Sequence, residues 1–248
     1  MKNCKLFGII ALIAVIGLVA CSSPAGGGDP ATSVITMTTT ESGSTNIYLL
    51  GTGKATIDWG DSTPTEEVPL TSSNDVNDLW NYGFPHTYSS GTKTLTVTGA
   101  VTGFSSCGNG IASDLDVSSC PGLKFLEFTE DLTTLDLSKN SSLEYLDCWN
   151  NQLTALDLSK NTKLVYLDCS SNFLTSLTIT GCNALERVFC NDNNLNAPLS
   201  VNVLMRLPNR TGLSPQGYIN VASNPGLAYG GYSAAKTYAQ SINWDVDG

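Results

Sequence analysis

From residue 111 to 196 the chain repeats one hydrophobic–polar phrase. Leu143-Glu-Tyr-Leu146-Asp-Cys148-Trp-Asn-Asn151-Gln-Leu153 is followed by Leu164-Val-Tyr-Leu167-Asp-Cys169-Ser-Ser-Asn172-Phe-Leu174. The opening leucines fall at 123, 143, 164 and 185, a step of 20, 21 and 21. A fixed short step predicts a solenoid, an architecture that presents a surface. Each unit holds the phrase twice, first as L-x-x-L-x-C-x-x-N-x-L and then as L-x-x-L-x-L-x-x-N. The alternation inside each phrase has period 2 and predicts a short strand. The residue that closes each phrase marks a corner: Asn151, Asn172 and Asn193 in the first phrase, Cys120, Asn140, Asn161 and Cys182 in the second. An Asn side-chain amide can hydrogen-bond the backbone of such a bend, and stacked copies form a ladder. One coil then has two strands and two corners, with coils stacking at about 4.8 Å.

These columns resemble the bacterial leucine-rich repeats with a nested 21-residue period, the class related to internalin-type repeats. The resemblance covers residues 111–196, within a solenoid assigned to 105–196. The first unit, Leu126-Glu-Phe128-Thr-Glu-Asp131-Leu132, is one residue short, which predicts a bulge or a tighter corner there.

The flanks have other patterns. Residues 33–104 are rich in Thr, Ser, Val and Ile, alternate in Ser33-Val-Ile-Thr-Met-Thr and Thr94-Leu-Thr-Val-Thr, and are cut by turn signals at Gly43, Gly53 and Gly91. Short strands are expected. Ile57-Asp-Trp-Gly-Asp61 and Pro85-His-Thr-Tyr88, in that order, resemble the signature of polycystic-kidney-disease-type (PKD-like) domains, which implies a small β-sandwich. After Leu195 the period is expected to fail. Residues 197–248 predict a helix with apolar positions 199, 203, 204 and 207, a strand at 218–222, a helix at 233–241 and a strand at 242–246, together a cap over the open end of the solenoid. The fold class expected is mainly β with some α: a β-sandwich, a leucine-rich-repeat solenoid and a C-terminal α/β cap.

The first 20 residues carry Lys2 and Lys5 and an apolar run from Leu6 to Ala20, ending in Leu18-Val19-Ala20-Cys21. This resembles a lipoprotein signal peptide, which implies cleavage before Cys21 and lipidation of its thiol. Residues 21–32 then form a flexible tether. The expected location is the cell envelope, outer membrane or cell surface, with the lipid on Cys21 as the membrane contact. Loss of residues 1–20 removes two bases and no acids, taking the net charge from −10 to −12. Such an acidic chain without a basic cluster is not expected to bind nucleic acid.

Of eight cysteines, Cys4 leaves with the leader and Cys21 is the lipid site. Cys148, Cys169 and Cys190 stand 21 apart in a column that faces the solenoid interior. Parallel Cα–Cβ vectors at strand spacing suit S–S closure poorly, and a straight column does not converge on a metal. Core packing is the expected role. Cys120 and Cys182 lie three coils apart, too far to pair, and Cys107 has no column. His86 is the single histidine. No nucleophile and acid stand at motif spacing from it, so no catalytic residue, cofactor or metal is expected. Asp58 and Asp61 in the Trp-Gly-Asp turn and Asp75 in Asn74-Asp-Val-Asn-Asp78 offer oxygens, but Asx turns explain the former and the latter lacks the Gly and Glu of an EF-hand loop.

The two strand faces of the solenoid differ. One is small and polar: Thr134, Asp136, Ser138, then Ala155, Asp157, Ser159, then Ser176, Thr178, Thr180. The other aligns Phe125, Tyr145, Tyr166 and Arg187 beside Glu127, Asp147 and Asp168, with Trp149 and Phe189. Cross-strand aromatic ladders stabilise sheets. Stacked acids do not, and Trp, Tyr and Arg dominate recognition sites. The aromatic–acidic face is therefore the expected ligand site of a non-enzymatic binding protein. The expected ligand is a protein on another cell, host or matrix; a glycan and a partner within the same envelope are the alternatives.

Overall fold

The computed structural model describes residues 33–40, 42–81, 83–107, 112–129, 131–196, 202–228 and 231–248. The leader, Cys21 and the tether lie outside them, as do residues 197–201, where the first helix of the cap was expected to begin.

Five strands open the described chain: β1 (Ser33–Thr39), β2 (Gly43–Asp58), β3 (Glu66–Pro69), β4 (Gly83–Tyr88) and β5 (Lys93–Cys107). β2 and β5 pair antiparallel along most of their length, with register shifts at Leu50/Gly51 and at Thr52/Ala55. Shifts of this kind bend a strand, and here β2 exchanges its outer partner, from β4 along residues 43–48 to β3 along residues 54–57. Ile35, Met37, Ile47, Leu49, Ile57, Leu95 and Val97 are all buried in one core. That alternation of inward residues is what the Thr/Val/Ile pattern encodes.

β5 joins this unit to the solenoid. Its first half pairs with β1. Its second half carries β7 (Phe125–Phe128) in parallel, Gly103 opposite Phe125 and Ser105 opposite Glu127. From there the strands of successive coils follow in parallel: β8 (Tyr145–Asp147), β10 (Tyr166–Asp168), β12 (Arg187–Phe189), β13 (Gly217–Asn220) and β14 (Trp244–Asp247). The result is one 12-stranded sheet that crosses residue 104 without a break. β6 (Ala112–Asp116) returns to pair with β1. On the opposite side of the coils, β9 (Ala155–Asp157) and β11 (Ser176–Thr178) form a separate parallel pair.

The corners are held by asparagine. Asn151 Nδ2 donates to Phe128 O, Asn172 to Cys148 O and Asn193 to Cys169 O, each bond reaching one coil back. Each Oδ1 accepts the amide of the leucine in the previous coil: Leu132, Leu153 and Leu174. The bend before each Asn is a left-handed residue, Asn150, Ser171 or Asp192, at φ of 53–55°. At the second corner Asn140 and Asn161 donate to carbonyls of the coil before, and Cys182 Sγ does so to Leu158 O. Between the corners Leu126, Leu146, Leu167 and Val188 form one buried column, and Phe128, Cys148, Cys169 and Cys190 the next.

The period does not end at Leu195. A further coil returns at Tyr218-Ile219-Asn-Val221-Ala-Ser-Asn224 after an insertion. Ile219 and Val221 take the leucine and cysteine places, Ser223 takes the left-handed bend at φ 58°, and Asn224 donates to Cys190 O and accepts Leu195 N–H. The phrase escaped the period because the insertion broke the step and the β-branched residues broke the leucine pattern. Within the insertion, residues 202–205 are helical and bury Val203 and Leu204. Arg210, also buried, ties it to the solenoid through Leu185 O at 3.2 Å and Glu186 Oε1 at 3.1 Å. α1 (Tyr232–Ser241) buries Tyr232, Ala235 and Ala239, and Trp244 below it donates to Pro208 O.

Candidate functional site

The sheet β7–β8–β10–β12–β13–β14 has an outward face on which register alone decides the neighbours. Tyr145 stands opposite Tyr166, Tyr166 opposite Arg187 and Arg187 opposite Tyr218; Asp147 stands opposite Asp168, and Asp168 opposite Phe189. The rings join across these columns. Tyr145 and Tyr166 stack at 4.5 Å with planes 6° apart; Tyr166 meets Phe189 at 5.8 Å, and Phe189 meets Tyr218 at 5.4 Å. Four rings thus make a continuous ridge over four coils, each half-buried. Trp149, at the corner beside it, is 43% exposed. Tyr218 belongs to this ridge and was not among the residues expected from sequence; its signal was the Tyr-Ile-Asn-Val phrase, which matches Tyr166-Leu-Asp-Cys.

Two of the expected site residues do not face solvent. Phe125 is 3% and Glu127 8% exposed. The oxygen-rich segment at 74–78 leads into a 3-10 helix, Val76–Asn81, whose Val76 and Leu79 pack with Leu50 against Phe125. Tyr48 and Tyr145 close the same cluster. Glu127 is covered between Ser105 of β5 and Asp147 of β8. The β unit therefore roofs the first coil, and the open part of the face begins at β8.

The acid column has a local cause that the sequence reading did not weigh. Asp147 Oδ1 accepts the Trp149 amide and Asp168 Oδ1 the Ser170 amide and hydroxyl. On the other face Asp116, Asp136 and Asp157 accept the amides of Ser118, Ser138 and Ser159 in the same way. Asp at this place closes the turn after the strand. The electrostatic outcomes are opposite. On the small-polar face these bonds hold Asp116, Asp136 and Asp157 below the usual carboxylate range. On the aromatic face burial pushes Glu127, Asp147 and Asp168 up, and the neighbouring carboxylates add to the effect at Glu127 and Asp147. Burial and the nearby acids likewise raise the Tyr145 and Tyr166 hydroxyls.

Elsewhere the sequence motifs assemble structurally. Trp59 stacks on His86 at 4.3 Å with planes 7° apart, and His86 Nε2 lies 2.7 Å from Asp61 Oδ2. The turn between Trp59 and Asp61 needs glycine: Gly60 has φ +74°, and a Cβ there would meet Thr94 O at 2.2 Å. Asp58 and Asp75 accept amides two residues on, as Asx turns do. Among the described residues no group of three His, Cys, Asp or Glu side chains converges as a metal site. Cys120, Cys148, Cys169, Cys182 and Cys190 are free thiols, all buried; Cys107 has no described side chain. A shallow recess of about 330 Å³ is lined by Thr52, Ser72, Ser73, Asn74, Thr102 and Lys124 at the junction of the two units.

Residues 141–179 match the family model for leucine-rich repeats in two copies. The fold is a leucine-rich-repeat solenoid. Its repeat strands lie in parallel register in a mainly β chain. Among solved structures, the functional domain of InlJ from Listeria monocytogenes, which includes a cysteine ladder, is 29% identical, with a TM-score of 0.44. The match covers 56% of this chain and 28% of that one. No curated protein sequence matches the chain.

Proposed function

We propose that the chain is a lipid-anchored cell-envelope protein whose leucine-rich-repeat head binds a protein partner through the aromatic ridge, in adhesion or surface recognition, without catalysis. The observation that carries this is the ridge itself: four half-buried rings in unbroken contact across four coils, on the face the β unit leaves open, with Trp149 standing beside them. Aromatic side chains of this kind supply most of the energy at protein interfaces. The lipobox-like Leu18-Val-Ala-Cys21 supports an envelope anchor, and the tether after it supports a head held away from the bilayer.

A glycan ligand is the weaker reading. Sugars stack on open ring faces, and the faces of Tyr145 and Tyr166 are pressed against each other. What the ridge offers outward is ring edges and hydroxyls.

The test is capture from surface extracts by the chain lacking residues 1–20. Trp149→Ser should cut capture at least tenfold, since a central hot-spot truncation costs about 2 kcal/mol or more. Ser176→Arg on the opposite face should leave it unchanged. Equal sensitivity of the two faces would move the site away from the ridge.

A further inference from the structure

The outward positions of the five open strands, β8 to β14, carry more than aromatic rings. Asp147, Asp168, Asp245 and Asp247 lie among them, against one base, Arg187. Asp245 and Asp247 are exposed and bracket the end of the ridge: Asp245 is paired in register with Tyr218, and Asp247 Oδ2 accepts the Tyr218 hydroxyl at 3.3 Å. Two other acids beside this face already have basic partners. Glu144 faces Lys124 at 3.9 Å, and Glu186 holds Arg210 at 3.1 Å. Among the described residues none of the four ridge aspartates has an ion pair of its own within the chain.

Resting on the reading of the ridge as a binding surface, we propose that its partner is a basic protein segment, one that lays lysine or arginine stems along the ring edges and delivers their charged heads to the ridge aspartates. Charge complementarity chooses this occupant over an acidic or neutral one. The ring geometry sets how it lies. The stacked faces of Tyr145 and Tyr166 are closed to a cation, so there the aliphatic stem, not the charged head, meets the aromatics, as long basic side chains commonly do on apolar surfaces. The head then reaches carboxylates one strand spacing away, about 4.8 Å.

The experiment uses the full chain and three immobilised probes: a peptide of alternating lysine and valine, the same peptide with glutamate for lysine, and a neutral glucan. The basic peptide should be retained and should lose at least tenfold in affinity between low and high salt, as screened ion pairs do; the other two should pass through. Asp245→Asn with Asp247→Asn should weaken retention at least tenfold. The matched control, Asp136→Asn with Asp157→Asn, removes the same charge from the opposite face and should have no effect. All four residues are exposed, and asparagine keeps the side-chain oxygen that accepts the Ser138 and Ser159 amides, so the fold is preserved. Equal loss from both pairs means attraction to net charge alone and overturns the proposal, as does retention of the acidic peptide or the glucan. Capture of a surface protein that depends on Trp149 but not on Asp245 and Asp247 would keep the ridge as the site and overturn only the basic partner.

Discussion

The Asn172 side chain donates to the Cys148 carbonyl at 2.9 Å, 24 residues earlier in the chain and one coil below. It also accepts the Leu153 amide at 3.0 Å and donates to Cys169 O and Ser170 O within its own corner. One amide thus satisfies the bend of two coils inside a buried corner.

Asn172→Ala should therefore destabilise the chain by about 3 kcal/mol, since it strands a buried amide hydrogen and carbonyl oxygens that each cost about 1–3 kcal/mol. Asn194→Ala, an exposed neighbour, should stay within about 0.5 kcal/mol. Urea unfolding of the two variants checks this, and equal effects would remove the ladder from the energetics.

The cysteine column should be chemically silent. Burial raises the Cys148 and Cys169 thiols well above the usual range and pushes Cys190 up to about 12. The thiolate is the reactive form, so alkylation at pH 8 should leave all three untouched until denaturant is added. Cys169→Ser should cost about 1–3 kcal/mol by placing a hydroxyl in an apolar stack. Rapid native labelling, or a disulfide within the column by mass spectrometry, would contradict the packing role.

Stability should peak on the acid side of neutrality. Burial raises Glu127, Asp147 and Asp168 above their unfolded values, so the folded chain retains protons that an unfolded chain releases above about pH 4. Folding therefore binds protons, and stability falls as pH rises from about 4 through neutrality. Asp61 works the other way: hydrogen bonds from Thr63 and then His86 hold it down to about 2, so its contribution is present above about pH 4 and is lost on acidifying toward 2. The urea midpoint should be higher at pH 5 than at pH 8. Asp147→Asn should flatten that slope and raise stability at pH 8, while Asp61→Asn should flatten only the loss below pH 4. A wild-type slope preserved in Asp147→Asn would exclude the buried column as its source.

Anchoring is tested apart from binding. Cys21→Ala should release the protein from the membrane fraction, because a single acyl anchor or pair of them is the only membrane attachment the reading supplies. Among the described residues no helix is long and apolar enough to cross a bilayer. Retention after carbonate washing would reject lipidation at Cys21.

The sequence by itself determined the solenoid. Leucine, cysteine and asparagine columns at a step of 21 residues are short-range signals, since each coil meets its neighbour through the same few positions, and stacking only repeats what one coil states. It also determined which side chains share a face, because strand alternation has period 2 and leaves no choice of side. The Asx turns at Asp58 and Asp61 could be read because their partners lie two residues on, whereas the pairing of His86 with Asp61, 25 residues apart, could not.

Tertiary structure alone decided how much of that face is open. Phe125 and Tyr145 occupy the same column and read alike. Leu79, from the 3-10 helix at Val76–Asn81 to which the sequence pattern assigned no element, packs against Phe125 and buries it, whereas Tyr145 remains half-exposed. Burial is a sum over partners distant in sequence, and no local pattern carries it. The same holds for Asp136 and Asp147, which both accept the amide two residues on: the Ser138 hydrogen bonds hold the exposed Asp136 below the usual range, whereas burial beside Asp168 lifts Asp147 above it. The coil at residues 219–224 became visible only when the insertion before it folded aside and Asn224 reached the Cys190 carbonyl. Register across a gap is fixed by hydrogen bonds in space, not by distance along the chain.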